Sequence, residues 1–398
     1  MDNHQYSSGY HSAECLAGVG AVEVFSADTD ILPRLSDFTR LQNDWLFGHL
    51  GYDLKNETEQ LHSTHADAIQ FPVVSFFRPQ TLLRLQNGTL MIASLDNDPG
   101  ELFRQITEQP SPVTSVNHTG TIQPRISKAQ YLDRVQRLLQ HIHRGDCYEI
   151  NFCQEFFSDQ AQIDPLQAYT QLTAISPNPF SCFYRSGERY LLCASPERFI
   201  RKEGNRILSQ PIKGTFRRDT TDPGKDAVLR DQLLQSEKDR SENVMVVDIV
   251  RNDLSRVCTE GSVQVEELFG IYSFPQVHQM ISTITGELKA GTGFTDIIKA
   301  CFPMGSMTGA PKKRVMELID QYESSNRGLY SGAVGYISPE KDFDFNVVIR
   351  SVFYNAATHY LSYWAGGGIT AYSDPEKEYE ECLLKAEAIR KVLIPENT

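Results

Sequence analysis

The chain has few of the features that mark membrane proteins, disulfide-bonded proteins or nucleic-acid-binding proteins. Its 398 residues contain no apolar run of about 18 to 20 residues, the length of a membrane helix, and the N-terminus lacks the basic and apolar segments of a signal peptide. Its eight cysteines include no Cys-x-x-Cys pair, which favours reduced and mostly buried thiols. The formal net charge of -13 excludes a general basic surface for nucleic acid. We therefore expect a cytoplasmic globular protein.

The composition is that of one large enzyme domain or two smaller domains. Hydrophobic residues make up 40% of the chain and charged residues 22%, which is enough apolar material for a substantial core. Between residues 109 and 123, prolines, a serine, an asparagine and a glycine interrupt periodic structure. We place a boundary there. It gives an N-terminal region, 1–120, that packs on a larger region, 121–398.

The patterns of the larger region predict an α+β fold. Ser127 caps an amphipathic helix that Gly145 ends, and the alternation over 148–156 predicts a half-buried strand with Glu149 on its polar face. Further strands are predicted at 189–193, 199–207, 331–337, 345–354 and 359–364, and helices at 225–234, 237–256, 295–301, 310–322 and 376–393. Several strands follow one another without a helix between them, so we expect antiparallel pairing.

Lys213 lies in a turn-like segment next to a glycine and a threonine. Gly214 lets the backbone approach a ligand, and Thr215 offers a hydroxyl donor. A lysine that acts as a nucleophile must be partly neutral, through burial or a cationic neighbour. Taken alone, however, a lysine in a turn is usually a solvated charge.

Two predicted helices carry carboxylates that suit a hard metal ion. In the first helix, Glu242 and Asp253 interrupt a face that is otherwise apolar. The second helix, 376–393, begins with several glutamates, Glu381 among them. One inward carboxylate from each helix would suit Mg²⁺, which keeps positions open for water and an anionic substrate. Solvated charged faces would explain either helix alone.

Two glycine-containing segments are candidates for anion contacts. The segment 305–313 fails the GxxxxGK[ST] pattern, because Ala310 and Pro311 separate Gly309 from Lys312, and so does not indicate a nucleotide site. Residues 365–369 follow a predicted strand, where backbone amides can approach an anion or form a flexible turn. Arg350 and Tyr336, on neighbouring predicted strands, and His278 have either a binding or a structural role.

Taken in order, these segments resemble the chorismate-utilising enzymes, a family that includes anthranilate, aminodeoxychorismate, isochorismate and salicylate synthases. The resemblance covers about two-thirds of the chain, residues 127–393. It implies two largely antiparallel sheets packed face to face with helices outside. Its motifs are Ala194-Ser195-Pro196-Glu197-Arg198-Phe199, Pro211-Ile212-Lys213-Gly214-Thr215, Ser241-Glu242-Asn243 with Arg251-Asn252-Asp253-Leu254, Phe302-Pro303-Met304-Gly305 with Gly309-Ala310-Pro311-Lys312, Gly332-Ala333-Val334-Gly335-Tyr336, and Ala365-Gly366-Gly367-Gly368 with Glu381-Cys382-Leu383-Leu384-Lys385-Ala386.

Two positions distinguish among the members of this family. Aminodeoxychorismate synthases have a lysine at the position of Lys213, where anthranilate synthases generally have alanine. Isochorismate and salicylate synthases activate water with a lysine at the position of Glu149, and ammonia-using members commonly have glutamine there, so this glutamate is a departure. Both positions favour amination of the ring carbon that bears the hydroxyl. The implied product is 4-amino-4-deoxychorismate, on the route to para-aminobenzoate and folate.

The resemblance also implies roles for individual residues. Glu242 and Glu381 would hold Mg²⁺ against the ring carboxylate of chorismate. Lys213 would attack the ring, and Glu197, protonated, would serve as the acid for the departing hydroxyl. The implied contacts with the substrate are Gly214, Thr215, Tyr336, Arg350, Gly366, Gly367, Gly368 and Lys385.

The source of ammonia is implied to be a second protein. Cys193 lacks the Gly-x-Cys-x-Gly elbow of class I glutamine amidotransferases, so a separate glutaminase subunit would supply ammonia. Two alternatives stay open. One is an anthranilate synthase component I, in which His278 would assist the elimination of pyruvate. The other is a noncatalytic regulator that binds chorismate or an amino acid.

Overall fold

Two β-sheets surrounded by helices form the protein. The computed structural model describes residues 1–4, 6, 13–109, 120–274 and 277–394. All strand pairs of both sheets are antiparallel in these ranges, which confirms the α+β class predicted from the sequence. Across the same ranges, every helix is too short or too polar to cross a bilayer.

The bounds of the elements are as follows. The strands are β1 (Cys15–Ala27), β2 (Leu46–Leu50), β3 (Val74–Gln86), β4 (Thr89–Ser94), β5 (Gln123–Pro124), β6 (Glu149–Ser158), β7 (Phe180–Ser186), β8 (Arg189–Ser195), β9 (Arg198–Glu203), β10 (Arg206–Gln210), β11 (Ile212–Arg217), β12 (Gln264–Ser273), β13 (Val277–Glu287), β14 (Gly309–Ala310), β15 (Ala333–Ile337), β16 (Phe343–Asn346), β17 (Ser351–Asn355) and β18 (Tyr360–Thr370). The helices are α1 (Ile31–Leu41), α2 (Lys55–Thr58), α3 (Pro99–Glu108), α4 (Lys128–Arg144), α5 (Pro165–Ile175), α6 (Pro223–Gln235), α7 (Glu237–Val257), α8 (Phe294–Cys301), α9 (Lys312–Tyr322), α10 (Pro375–Lys385) and α11 (Glu387–Leu393), with short 3-10 helices at Tyr52–Leu54 and Gly305–Met307.

The first sheet combines strands from both ends of the chain. Its order is β1-β3-β2-β15-β16-β9-β10-β13-β11, with β4 beside β3 and β12 beside β13. Because β2 pairs with β15, residues before and after position 120 share one sheet. The predicted boundary at 109–123 falls mostly on residues 110–119, which lie outside the described residues, so the division at residue 120 stays a prediction.

The second sheet has the order β14-β6-β18-β17-β8-β7, with β5 beside β6. The two sheets face each other across an apolar core that includes Phe76 and Ile200 from the first sheet and Leu191 and Trp364 from the second. The other face of the second sheet packs on α4, α5, α10 and α11 through a separate apolar cluster that includes Phe152. The eight cysteines are free thiols, and all but Cys15 are buried, as expected.

Local signals predicted the elements well, and tertiary packing changed several of them. Ser127 and Gly145 cap α4 as expected, with a capping box at its start and a left-handed Gly145 at its end. The strand predicted as half-buried, β6, is covered on both faces, because it lies between the core of the two sheets and the helical layer. The segment 199–207 is a β9-β10 hairpin, and a break at Ala386 divides the last predicted helix.

Candidate active site

A cavity of about 910 Å³ opens between the two sheets and helices α7 and α10. Strands β11 and β13 contribute to it from the first sheet, and β18 contributes from the second. Most of the residues predicted from the sequence line this cavity. They are Glu197, Lys213, Gly214, Thr215, Glu242, Arg350, Gly366, Gly368, Glu381 and Lys385.

Tyr336, predicted to bind substrate, lies elsewhere. Strand β15 directs its ring into an aromatic cluster, 5.5 Å from the ring of Trp45 and 6.4 Å from that of Phe47. The tyrosine that lines the cavity is Tyr330, whose ring stacks on Trp364 at 5.4 Å. Both tyrosines flank the same glycine-containing segment, and only the direction of each side chain distinguishes them. The expectation that Tyr336 lies at the site is therefore corrected, because it is not among the cavity-lining residues and Tyr330 is.

Lys213 lies in β11 and contacts the second sheet. Its Nζ donates a hydrogen bond to Oε1 of Glu149 at the start of β6, and both side chains are buried. Burial lowers the pKa of the Lys213 ammonium, but the carboxylates of Glu149 and Glu242 more than offset this and raise the pKa above its usual value. Lys213 is therefore an ammonium ion in the free protein at neutral pH.

The three glycines 366–368 lie inside β18 and not in a turn after it, which corrects the sequence interpretation. Their lack of a side chain makes room for neighbouring groups. A Cβ atom on Gly368 would lie 2.6 Å from Oε1 of Glu149, and one on Gly366 would lie 2.0 Å from the carbonyl oxygen of Phe152. On Gly367 it would lie 3.2 Å from Oε2 of Glu378, so this glycine borders the carboxylates of α10 without being among the cavity-lining residues.

Glu197 is buried in the connection between β8 and β9 and lines the cavity. Burial raises the pKa of its carboxyl group to about 7, although the charges of Lys213 and Arg350 oppose the shift. A carboxyl group that titrates near neutrality is suited to donating a proton.

A lysine, Lys238, lies between a carboxylate of α7 and a carboxylate of α10. Nζ of Lys238 lies 3.8 Å from Oε1 of Glu242 and 3.5 Å from Oε1 of Glu378. Glu381 pairs with Lys385 at 2.8 Å, and Lys385 lowers the pKa of that carboxyl to about 2. Burial raises the pKa of Glu242 to about 7. Glu378, which sequence reasoning missed, is buried, and only its position on the inner face of α10 reveals it.

No three His, Cys, Asp or Glu side chains in the described ranges converge as they would around a bound metal ion. The carboxylate oxygens of this cluster nevertheless suit a bound metal ion. Oε1 of Glu242 and Oε2 of Glu378 are buried, and among the described residues neither has a hydrogen-bond partner. Hard carboxylate oxygens with unused lone pairs are the ligands that Mg²⁺ prefers.

Arg350 follows a break in the predicted strand 345–354, between β16 and β17, and has a left-handed backbone with φ of 50°. Its side chain reaches the cavity. Burial lowers the pKa of its guanidinium group, against the effect of nearby Glu197. An arginine in this position can bind a substrate carboxylate through two parallel hydrogen bonds.

The two faces of β13 give His278 and Gln279 different environments. His278 points away from the cavity and pairs with Asp226 at 3.0 Å and with Ser273 at 2.8 Å. Gln279 lines the cavity, is fully buried, and has no hydrogen-bond partner for either side-chain atom among the described residues. The sequence drew attention to His278 and missed Gln279, since alternation along the strand decides which one faces the cavity.

Known proteins are similar to this chain in sequence and in fold. Residues 13–391 match the family model described as chorismate binding enzyme. Aminodeoxychorismate synthase component 1 of Salmonella typhimurium is 38% identical, over 86% of this chain and 75% of that protein. The protein of the same name from Escherichia coli is 36% identical, over 92% and 80%. A probable aminodeoxychorismate synthase, chloroplastic, from Oryza sativa is 46% identical over 67% of this chain, which spans 30% of the rice protein.

Solved structures show the same fold. Anthranilate synthase component I from Streptococcus pneumoniae superposes over 98% of this chain and 94% of that chain, with a TM-score of 0.81 and 24% identity. The menaquinone-specific isochorismate synthase from Escherichia coli superposes over 95% and 85%, with a TM-score of 0.74 and 19% identity. By sequence and by architecture, the chain belongs to the family of chorismate binding enzymes.

Proposed function

We propose that the protein aminates chorismate to 4-amino-4-deoxychorismate, a step toward para-aminobenzoate and folate. The observation that carries this proposal is the buried Lys213, which lies in a cavity that also contains the carboxyl group of Glu197. The relatives from Salmonella typhimurium and Escherichia coli, named aminodeoxychorismate synthase component 1, support it.

Lys213 serves as the nucleophile. Its amine attacks the chorismate ring and forms a covalent bond while the ring hydroxyl departs. Ammonia then displaces the lysine, and the enolpyruvyl group stays on the product. Because the free protein holds Lys213 as an ammonium ion, the amine must lose a proton before it attacks.

Glu197 supplies the proton for the departing hydroxyl. Hydroxide is a poor leaving group, and protonation allows the oxygen to leave as water. With its pKa raised to about 7, Glu197 is protonated in a substantial fraction of molecules at neutral pH. Its burial keeps that proton from solvent, so it is held for the substrate.

Glu242 and Glu381, with Glu378 beside them, are the residues that would hold Mg²⁺. The buried oxygens Oε1 of Glu242 and Oε2 of Glu378, which accept no hydrogen bond from any described residue, support this assignment. When bound, the ion would neutralise the ring carboxylate of chorismate and draw electron density from the ring. Lys238 lies between the two helices and compensates their negative charge in the metal-free protein.

The remaining anionic group of chorismate, the enolpyruvyl carboxylate, requires its own partners. Arg350 and Tyr330 line the same cavity and offer a guanidinium group and a phenol. Gly214 lines the cavity, has φ of 87°, and allows close packing of α7, because a Cβ there would lie 2.9 Å from that of Asp239. Thr215, the backbone of Gly366 and of Gly368, and Lys385 complete the contacts.

Ammonia comes from a separate glutamine amidotransferase subunit in this proposal. The name component 1 carried by the bacterial relatives supports a second component. Free ammonium should replace that subunit in vitro, because the chain itself carries the amination site.

The alternative reaction, anthranilate formation, requires elimination of pyruvate and aromatisation of the ring. The orientation of His278 away from the cavity speaks against its assisting that step.

The test is incubation of the protein with chorismate, ammonium and Mg²⁺, followed by chromatography and mass analysis. We expect 4-amino-4-deoxychorismate, and fluorescent anthranilate as the main product would reject the proposal. Binding of chorismate without its consumption would favour the alternative of a noncatalytic regulator.

A further inference from the structure

Glu149 has two oxygens in different situations. The residue is 1% exposed at the start of β6, and Oε1 accepts a hydrogen bond from Nζ of Lys213. Oε2 is buried and has no hydrogen-bond partner among the described residues. Burying a carboxylate with an unused oxygen is unfavourable, so this arrangement calls for a chemical reason.

The pair bears directly on the reactivity of Lys213. An ammonium ion has no lone pair, so Lys213 cannot attack a ring carbon until a base removes its proton. Glu149 is the carboxylate bonded to the reacting atom. Four other charged groups among the described residues interact with the charge on Nζ: Glu242 on α7, Glu197 before β9, and Glu381 and Lys385 on α10. Lys385 is a cation, Glu197 is required as an acid, and Glu242 and Glu381 are assigned to the metal ion.

We propose that Glu149 is the proton acceptor that converts Lys213 into the attacking amine, an inference that rests on the covalent route proposed above. The proton moves along the hydrogen bond from Nζ of Lys213 to Oε1 of Glu149. This leaves a neutral amine and a neutral carboxylic acid. No solvent molecule takes part, because both groups are buried.

The subsequent steps balance. The lone pair of Nζ forms the bond to the ring, the electrons of the breaking C–O bond leave with the hydroxyl oxygen, and Glu197 protonates that oxygen to give water. Lys213 is then a dialkylammonium group. Ammonia attacks with its lone pair and becomes the ammonium group of the product, while Nζ departs as a neutral amine and recovers its proton from Glu149. Glu197, left as a carboxylate, regains its proton from solvent when the product and water leave the cavity.

Proton transfer within a pair differs from proton loss to solvent in its pH dependence. The ionic and the neutral forms of the pair contain the same number of protons, so their ratio does not change with pH. If Lys213 lost its proton to solvent, the amine fraction would rise tenfold per pH unit below the pKa of Lys213. Glu197 also titrates, but it is common to the wild type and a Glu149 variant, so the ratio of the two rates cancels its contribution. Glu149 raises the pKa of Glu242, so the rates are compared with Mg²⁺ saturating at every pH.

The experiment measures covalent capture of chorismate without ammonia. Wild type and Glu149→Gln are mixed with chorismate and Mg²⁺, stopped in acid, and analysed for an adduct of chorismate minus water on Lys213. The amide accepts a hydrogen bond but takes no proton. We expect the ratio of the wild-type rate to the variant rate to be about 10² near pH 6 and to fall about tenfold per pH unit toward pH 9.

Two further variants serve as controls. Glu149→Asp keeps a carboxylate and should capture more slowly than wild type by a factor that does not depend on pH. Glu155→Gln removes another buried carboxylate of β6, which pairs with Arg125, and should leave the capture rate unchanged. Melting temperature and chorismate affinity, measured for each variant, establish that the variants fold and bind.

Several results would overturn the proposed role of Glu149. A pH-independent ratio for Glu149→Gln, or a variant that is faster than wild type at every pH, would overturn the inference. If that variant does not fold, a tenfold rise of wild-type capture per pH unit below about pH 7 would overturn it. If wild type forms no adduct and Lys213→Ala still aminates chorismate at the full rate, the covalent route fails and takes this inference with it. Only that outcome would also count against the proposed function.

Discussion

A Cβ atom on Gly368 would lie 2.9 Å from Nζ of Lys213, a separation that would force the lysine to shift. This contact is between the two sheets, because Gly368 belongs to β18 of the second sheet and Lys213 to β11 of the first. The glycine is therefore the reason that a lysine from one sheet can reach a glutamate of the other.

The first prediction concerns that glycine. Gly368→Ala should displace Nζ of Lys213 and lower the rate of chorismate capture by at least about tenfold, since small misplacements of reacting groups cost rate. Gly224→Ala, at the exposed start of α6 where the nearest atom would be 3.3 Å away, is the matched control and should capture at the wild-type rate. Stopped-flow mixing with mass analysis measures both, and equal rates for the two variants would contradict the steric argument.

The second prediction concerns the nucleophile. Lys213→Ala should bind chorismate but form no covalent adduct, because the attacking amine is absent. Lys213→Met, which keeps most of the side-chain length, should behave in the same way. Lys377→Ala, at the exposed rim of the cavity, should retain the adduct. Mass analysis after acid quenching reads the result, and undiminished amination by Lys213→Ala would show that the covalent route is wrong.

The third prediction concerns the acid. The pKa of Glu197 is raised to about 7, so the protonated form is present below that pH and is lost as the pH rises through it. Chorismate capture by wild type, measured without ammonia, should fall about tenfold per pH unit above about pH 7. Glu197→Gln should capture about 10² to 10⁴-fold more slowly, with that decline absent. A decline that persists in the variant would assign it to another group.

The fourth prediction uses stability to test the metal assignment. Because burial raises the pKa of Glu242 to about 7, the folded state binds a proton more tightly than the unfolded state. The contribution of Glu242 to the free energy of unfolding of the metal-free protein therefore falls by about 3 kcal/mol as the pH rises from about 4.5 to about 7.

Glu242→Gln should remove that part of the pH dependence, as urea unfolding at about pH 5 and pH 8 in a chelator will show. Glu237→Gln, exposed on the same helix, should not change it. At pH 8, Mg²⁺ should stabilise wild type more than Glu242→Gln, because a bound ligand stabilises the state that binds it. Equal stabilisation of the two proteins would place the ion elsewhere.

The fifth prediction concerns Gln279. Its buried amide has no hydrogen-bond partner among the described residues, so Gln279→Leu should leave stability unchanged or increase it by about 1 kcal/mol. Loss of a hydrogen bond to the ligand should raise the KM for chorismate about tenfold. Gln154→Leu, a buried glutamine of β6 that does not line the cavity, should leave KM unchanged. Unfolding curves and initial rates measure both effects, and an unchanged KM for Gln279→Leu would exclude contact with the substrate.

Much of the fold was predictable because its signals are local. The cap residues Ser127 and Gly145 determine where α4 begins and ends, and successive strands without helices between them indicate antiparallel sheets. The hairpin of β9 and β10 was less predictable. The segment was predicted as one strand, although Gly204 and Asn205 interrupt it, and these two residues form the short turn that reverses the chain.

The candidate site likewise contains residues that the sequence predicted and residues that it did not predict. Order along the chain was enough to select Lys213, Glu197, Glu242 and Glu381, because each lies in a recognisable motif. Tyr330, Gln279 and Glu378 were not selected. Each depends on which face of an element points inward, and that direction follows from packing against other parts of the chain.

By itself, the sequence determined the family and the antiparallel α+β class, and it placed a lysine at position 213 and a glutamate at position 149. Only the tertiary structure decided that Lys213 bonds to Glu149, 64 residues away along the chain. The physical reason is that motif residues report local conformation and chemistry. The protonation state of Lys213, by contrast, depends on charges that different sheets and helices bring into one low-dielectric site.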